Sequence, residues 1–183
     1  EIMITLIEKV PGYNKIASRT LDSKSIKTNI GDLFQFSIDS FQLRSKNSLL
    51  NFSCFLGFKE QHVLVDPTLL SQVILNLLSN AEKFTLQGEV VLKSEIIYDS
   101  GTELTFQTSV EDSGIGIKKS RLTTVFDAFV QGETTSEETN IGSGLGLYIT
   151  KKIIYKMGGE IWAKSDLGLG TKVCFTLTLP KIQ

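Results

Sequence analysis

The sequence contains few of the residues that build metal centres, disulfide frameworks or membrane spans. One histidine and two cysteines occur among its 183 residues, and no cysteine and histidine cluster has the spacing of metal ligands. Cys54 and Cys174 both lie in strand-like runs, which predicts buried reduced thiols rather than a disulfide and fits a cytosolic setting. No apolar run is long enough to span a bilayer. These absences argue against a disulfide framework, a zinc centre or a membrane span as the basis of the fold.

The chain also lacks an excess of charge of either sign. Its 19 lysines and arginines nearly balance 20 aspartates and glutamates, for a net charge of −1. A nucleic-acid-binding or anionic-membrane-binding domain would carry a basic excess, so we expect no nucleic-acid partner. The length suffices for one well-packed domain. Because the first residue is Glu and not Met, we expect a fragment of a longer protein.

Hydrophobic periodicity predicts helices and strands in alternation along the chain. Asn29 and Asp66 are expected N-caps, each followed by apolar residues at helical spacing, and Pro67 suits the first helical position. A third helix is expected over 145–157, before Gly158 and Gly159. Strand-like runs predict strands at 49–58, 62–66, 90–98, 104–110, 160–165 and 172–179. The pattern favours one mixed sheet covered by helices, a two-layer α/β sandwich.

An acid and two glycines end one predicted strand. Asp112 follows the alternating run 102–110, and Gly114 and Gly116 come directly after it. Glycine allows a sharp turn and a close approach of ligand to backbone, and the carboxylate could accept a hydrogen bond from an exocyclic amino group such as that of adenine. Alone, the pattern is more typical of a strand-ending turn. A second glycine cluster, 142–147, opens a helix downstream and would present N–H groups to a phosphate.

Three polar residues share one face of the strongly apolar helix after Pro67. Asn76, Asn80 and Lys83 recur at spacings of four and three. An unsatisfied buried amide costs roughly 1–3 kcal/mol, so these amides need partners. One interpretation is that they bond to nearby backbone at the helix end. The other is a hard-cation site, since an amide oxygen suits Mg²⁺ and a lysine suits a phosphate.

Five segments, in this order, resemble the sequence boxes of sensor histidine kinases. They are an asparagine box (76–85), a first glycine box (112–116), a phenylalanine box (126–129), a second glycine box (142–147) and a Gly-x-Gly-Thr segment (168–171). Each is weak alone, but the ordered set extends over most of 66–180. The chain therefore resembles the GHKL group of ATP-binding domains, which have the Bergerat fold.

This resemblance implies an α+β fold with a mixed, mostly antiparallel sheet of about five strands packed on three helices. Residues 28–183 would form the ATP-binding catalytic domain. Residues 1–27 would comprise the tail of an upstream helical dimerisation domain and an edge strand.

The resemblance also implies a binding role for each matched residue, with ATP and Mg²⁺ as cofactors. At the base, Asp112 would read the adenine amino group, partly through water, and Phe84 would lie against the ring. Asn80 would hold Mg²⁺, while Asn76 and Lys83 would face the phosphates as the catalytic residues. Phe126 and Phe129 would anchor residues 130–141 as a lid. The other expected cofactor-binding residues are Gly114, Gly116, Ile117, Gly142, Ser143, Gly144, Leu145, Gly146, Leu147 and Thr171.

Asn76, the phenylalanine box and the Lys-Phe-Thr ending of the asparagine box (83–85) favour a histidine kinase over other GHKL members. Gyrase-type and mismatch-repair ATPases carry a water-activating glutamate where this chain has Asn76, so phosphoryl transfer to a protein is favoured. The one histidine, His62, lacks the helical His-Glu or His-Asp context of a phosphoacceptor. The resemblance therefore implies that the dimerisation and phosphoacceptor helices lie upstream, with a response-regulator receiver domain as the next partner. We expect a monomeric fragment, a homodimeric full-length protein and a cytoplasmic domain; the sequence leaves membrane anchoring open.

The expected lid departs from the pattern of many hybrid kinases. Glu138 stands where the resemblance expects arginine, and Ile141 replaces a glycine. A like charge near the triphosphate is repulsive by about 1 kcal/mol even in a watery site. The departure keeps a second hypothesis open, a catalytically weak or inactive nucleotide-binding-like interaction module of a signalling protein. A GHKL ATPase that drives clamp closure is a third hypothesis, which Asn76 disfavours.

Overall fold

The computed structural model describes residues 24–58, 60–128 and 144–182. The predictions for residues 1–23, Phe129, Glu138, Ile141, Gly142 and Ser143 therefore lie outside the described residues. The elements in chain order are β1 (Ile26–Asn29), α1 (Ile30–Arg44), β2 (Leu50–Leu56), β3 (His62–Val65), α2 (Pro67–Phe84), β4 (Gly88–Asp99), β5 (Glu103–Asp112), α3 (Lys119–Leu122), α4 (Gly146–Lys156), β6 (Glu160–Asp166) and β7 (Gly170–Pro180).

The main sheet has five strands in the order β2-β4-β5-β7-β6. β2 runs parallel to β4, and the remaining neighbours are antiparallel. This arrangement confirms the mixed, mostly antiparallel sheet that the sequence predicts. β1 and β3 pair antiparallel in a separate small sheet, so β1 is not an edge strand of the main sheet. β1 also crosses the domain boundary expected between residues 27 and 28.

The two long helices begin at the caps that the sequence predicts. The Asn29 side chain accepts a hydrogen bond from the Gly31 N–H, and Asp66 accepts from the N–H groups of Thr68 and Leu69. Both side chains satisfy donors that a helix start otherwise leaves free. Within the described ranges, no helix is long and apolar enough to cross a membrane.

Helices α1, α2 and α4 bury their apolar faces against one side of the main sheet. Phe106 lies at the centre of this core, with its ring edge-on to Phe34 at 6.1 Å and to Phe175 at 6.3 Å between centroids. Such edge-to-face pairs contribute about 0.5–1.5 kcal/mol each beyond the area they bury. The core thereby fixes the sheet and helices to one another and sets where their ends meet.

One end of this sandwich brings together the segments that carry the expected site. β5 ends at Asp112, directly opposite Thr171 near the start of β7. Thr171 in turn faces Ser165 of β6. The C-terminal end of α2 lies at the same place, because the Phe84 carbonyl accepts a hydrogen bond from the Ile115 N–H at 3.2 Å.

Candidate functional site

Asp112 is a half-buried carboxylate held by backbone donors at the end of β5. Its Oδ1 accepts hydrogen bonds from the N–H groups of Gly114 at 2.9 Å and Thr171 at 3.3 Å. Burial raises the pKa of this carboxyl, although the two N–H donors oppose the shift, and the adjacent Glu111 adds to it. The Asp112 carboxylate is therefore a hydrogen-bond acceptor in a fixed position. Because its burial is costly, a further hydrogen-bond donor would stabilise its ionised form.

Thr85 supplies a second polar group beside this carboxylate. Its hydroxyl is fully buried and lies close enough to lower the pKa of Asp112. It nevertheless forms no hydrogen bond of ordinary geometry with any described residue. Thr85 therefore adds a buried polar group to the wall of the site, next to the Asp112 carboxyl. The sequence interpretation gave Thr85 no role, and its position inside the asparagine box was the available signal.

Close contacts between protein segments explain why the two positions of the first glycine box are occupied by glycine. A Cβ at Gly114 would overlap the Phe84 carbonyl oxygen and lie 2.8 Å from the Thr85 hydroxyl. At Gly116, with φ +68°, a Cβ would overlap the carbonyl oxygen of Asp166. The sequence interpretation expected ligand approach at these glycines. Protein backbone occupies that space, so they shape the site by letting its walls close together.

Ile117 and Thr171 are joined through Ser165, which sequence reasoning did not select. The Ser165 hydroxyl accepts from the Ile117 N–H at 2.7 Å and lies 3.0 Å from the Thr171 hydroxyl. It also donates to the Gly170 carbonyl at 2.6 Å. The structure therefore places Ile117 and Thr171 at the same end of the sheet as Asp112. No local pattern marks Ser165, because its partners come from two separate turns.

The polar face of α2 meets the start of α4. The Asn76 Nδ2 lies 3.4 Å from the Thr150 hydroxyl, a long hydrogen bond. The Asn80 amide packs against Gly146, where a Cβ would lie 3.4 Å from its nitrogen. Leu145, at the start of α4, makes no side-chain cap bond, and the first N–H groups of a helix suit an anion. Asn76 therefore contacts Thr150 within α4, and Asn80 lies against Gly146 of the second glycine box.

Lys83 and Phe84 lie at the C-terminal end of α2. The Lys83 ammonium lies 5.0 Å from the centroid of the Phe84 ring, within the range of a cation–π contact. Surrounding protein lowers the pKa of this exposed lysine by desolvation. It forms no ion pair within the described ranges, so its charge is available to an anionic ligand. In the second glycine box, before α4, the Leu145 side chain is buried and the Gly144 backbone has a positive φ of +68°.

Asn47 secures the α2 end from outside the expected boxes. Its Nδ2 donates to the carbonyls of Thr85 and Leu86, both at 3.1 Å. Its Oδ1 accepts from the Leu49 N–H at 3.1 Å. The loop between α1 and β2 therefore holds the segment that contacts Gly114. The sequence around Asn47 does not indicate this role, because Thr85 and Leu86 lie almost forty residues further along the chain.

The chain matches the sequence model of the histidine kinase-, DNA gyrase B-, and HSP90-like ATPase family over residues 65–182. It is 31% identical over 182 residues to the sensor histidine kinase GacS of Pseudomonas protegens, covering 99% of this chain and 20% of that protein. It is also 31% identical over 179 residues to hybrid signal transduction histidine kinase B of Dictyostelium discoideum, and the match covers 96% of this chain and 9% of that protein. The chain therefore spans a fifth or less of the length of these curated relatives.

Solved structures share the fold. Full-length ShkA in complex with AMPPNP superposes with a TM-score of 0.76 at 23% identity, covering 99% of this chain and 36% of that one. The catalytic domain of histidine kinase ThkA superposes with a TM-score of 0.65 at 26% identity, covering 86% and 97%. The fold predicted from the sequence is confirmed, and the matched family model extends from β3 to the end of the described residues. The chain belongs to the family of histidine kinase-, DNA gyrase B- and HSP90-like ATPases.

Proposed function

We propose that this chain is the ATP-binding catalytic domain of a sensor histidine kinase, and that it donates the γ-phosphoryl of ATP to a histidine on a separate dimerisation domain. The observation that carries the proposal is the Asp112 carboxylate, fixed through Oδ1 beside the unsatisfied hydroxyl of Thr85. Membership of the ATPase family and the histidine kinase names of the relatives support it.

The base end of the site fits adenine. An exocyclic amino group can donate to a carboxylate oxygen, and a water or ring nitrogen can pair with the Thr85 hydroxyl. Each such bond would offset the desolvation that raises the pKa of Asp112. The half-buried Phe84 lies one residue before Thr85 and offers an aromatic surface next to these groups.

The other end fits a magnesium-bound triphosphate. The N-terminus of α4, the Lys83 ammonium and the Asn80 amide lie around the junction of α2 and α4. Within the described ranges, no cluster of three or more His, Cys, Asp or Glu residues could hold a metal alone. Mg²⁺ would therefore rest on Asn80 together with phosphate oxygens, the ligand set this ion commonly uses. When bound, the ion would neutralise charge on the phosphates.

Asn76 favours transfer to a protein over hydrolysis. Its amide binds the Thr150 hydroxyl and cannot accept a proton from an attacking water as a carboxylate can. His62 is exposed at the start of β3 rather than on a helix. The phosphoacceptor would therefore belong to dimerisation helices in a homodimeric full-length protein. A response-regulator receiver domain would accept the phosphoryl group next.

Calorimetric titration with a non-hydrolysable ATP analogue, with and without Mg²⁺, tests nucleotide binding. We expect micromolar affinity, roughly −8 kcal/mol, reduced at least about tenfold by Asp112→Asn. Asn80→Ala should remove the Mg²⁺ dependence. Asp39→Asn is the matched control, because Asp39 is exposed on α1, where it accepts a hydrogen bond from Gln35. A folded wild-type chain that binds no nucleotide would favour the interaction-module hypothesis.

Phosphoryl transfer needs a second measurement. The isolated chain is mixed with a histidine kinase dimerisation domain and γ-labelled ATP, and label on histidine is followed against label released as phosphate. We expect transfer to histidine that depends on Asn76 and Lys83. Rapid release to water without transfer would instead indicate an ATPase.

A further inference from the structure

Three polar side chains form a row across the last strands of the main sheet. Asp112 of β5 lies opposite Thr171 of β7, and Thr171 lies opposite Ser165 of β6. Directly opposed residues of antiparallel strands point to the same face. That face is the one covered by the helices, because Val110 and Val173, two residues away on their strands, belong to the core.

The hydrogen bonds of Ser165 fix the direction of the proton between Ser165 and Thr171. A hydroxyl has one proton to donate and two lone pairs. The Gly170 carbonyl can only accept, so it takes the Ser165 proton at 2.6 Å. The Ile117 N–H can only donate, and it uses one lone pair at 2.7 Å. At the 3.0 Å contact, Ser165 can therefore only accept, and Thr171 must donate.

The Thr171 hydroxyl thus has lone pairs, and no proton, for any group in the base pocket. Its backbone N–H is also committed, to Oδ1 of Asp112 at 3.3 Å. Asp112 in its ionised form is likewise an acceptor only. Asp112 and Thr171, the members of the row next to the base, would therefore both be acceptors, and the Thr85 hydroxyl beside Asp112 is the neighbouring donor.

We propose that Ser165 is a positioning residue for purine selection: it holds the Thr171 hydroxyl as an acceptor, so that the pocket favours a 6-amino purine over a 6-oxo purine. The inference rests on the proposed ATP-binding function. A 6-amino group supplies donors to acceptors, whereas a 6-oxo group faces them with its own lone pairs. A Thr171 hydroxyl free to rotate could donate to the oxo group and weaken the discrimination.

The test is the ratio of the dissociation constants of inosine triphosphate and ATP, measured for the chain by calorimetry. Ser165→Ala should lower this ratio about fivefold, the value of one net hydrogen bond. Ser165→Thr keeps the hydroxyl and should keep the ratio. Ser100→Ala is the matched control, since Ser100 also makes several hydroxyl contacts but lies in the β4–β5 hairpin, at the far end of β5.

A double-mutant cycle separates positioning from a general structural effect. Thr171→Val removes the acceptor and should lower the ratio by itself, and adding Ser165→Ala should then change nothing further. If Ser165→Ala weakens both nucleotides equally, Ser165 is only structural and the inference is wrong. If Ser165→Ala fails to fold, an unchanged ratio in Thr171→Val refutes the inference by itself. A wild-type chain that binds no ATP refutes the proposed function and removes this inference with it.

Discussion

Gly114→Ala should destabilise the chain in the absence of any ligand. The added methyl group would overlap the Phe84 carbonyl oxygen and lie 2.8 Å from the Thr85 hydroxyl. Relief requires the α2 end and the first glycine box to separate, which lengthens the 3.2 Å bond between Ile115 and Phe84. Overpacking of this kind costs about 1–3 kcal/mol. With a slope of about 2 kcal/mol per molar urea, the unfolding midpoint should fall by roughly 0.5–1.5 M.

Gly57→Ala is the matched control for this measurement. Gly57 also has no positive φ, and its Cβ would approach the nearest atom, Cβ of Glu95, at 3.3 Å. A small adjustment relieves that contact, so we expect a loss well below that of Gly114→Ala. Urea unfolding followed by circular dichroism, without nucleotide, gives both values. If Gly114→Ala leaves the unliganded stability intact but abolishes nucleotide binding, the glycine serves ligand approach and the explanation from protein contacts is refuted.

Three further perturbations test the site and the core. Asn47→Ala should lower the free energy of unfolding by about 1–2 kcal/mol and weaken nucleotide binding. The control Asn51→Ala, at an exposed position of β2, should change neither urea unfolding nor calorimetric binding. Equal effects of the two substitutions would show that Asn47 has no special role. Because burial raises the pKa of Asp112, the folded chain binds its proton more tightly than the unfolded chain. Stability should therefore fall as pH rises from the ordinary aspartate range through the raised pKa, while nucleotide affinity should rise over the same window. The stability slope should vanish in Asp112→Asn, and its persistence would assign it to another group. Phe106→Ala should cost about 3–5 kcal/mol in urea unfolding, and a loss below 1 kcal/mol would show that the aromatic core repacks freely.

Local signals predicted most of the secondary structure, and they led to the residues of the candidate site. Caps such as Asn29 and Asp66 act within three residues of their own helix, so the sequence around them is sufficient. The strand before Asp112 and the helix carrying Asn76 and Asn80 follow from periodicity in the same way. The separate pairing of β1 with β3 and the parallel pairing of β2 with β4 were not predicted. Such pairings depend on contacts between distant segments, which no local pattern encodes.

The difference between local patterns and contacts between distant segments also explains which site residues could be predicted from the sequence. Asp112 and Asn80 lie in motifs whose residue types suit their chemistry. Asn47 and Ser165 are single polar residues without a motif, and each contributes by bonding to backbone brought from elsewhere by the fold. The sequence indicated Gly114 as a site residue but not why glycine is needed there, because the carbonyl that excludes a side chain is that of Phe84 in α2.

The two ends of the candidate site differ in how firmly they are built. At the base end, Asp112 is tied to Gly114 and Thr171, and Asn47 holds the α2 end through the Thr85 and Leu86 carbonyls. At the phosphate end, the Thr150 hydroxyl accepts a long bond from Asn76 and donates to the Gly146 carbonyl at 2.9 Å, and Lys83 contacts the Phe84 ring. Ordering side chains on binding costs free energy, and that cost falls mainly where few bonds exist beforehand. The bonds that fix Asp112 belong to the base end, so we expect base selectivity to depend on them, and affinity to depend more strongly than base selectivity on phosphate contacts and Mg²⁺.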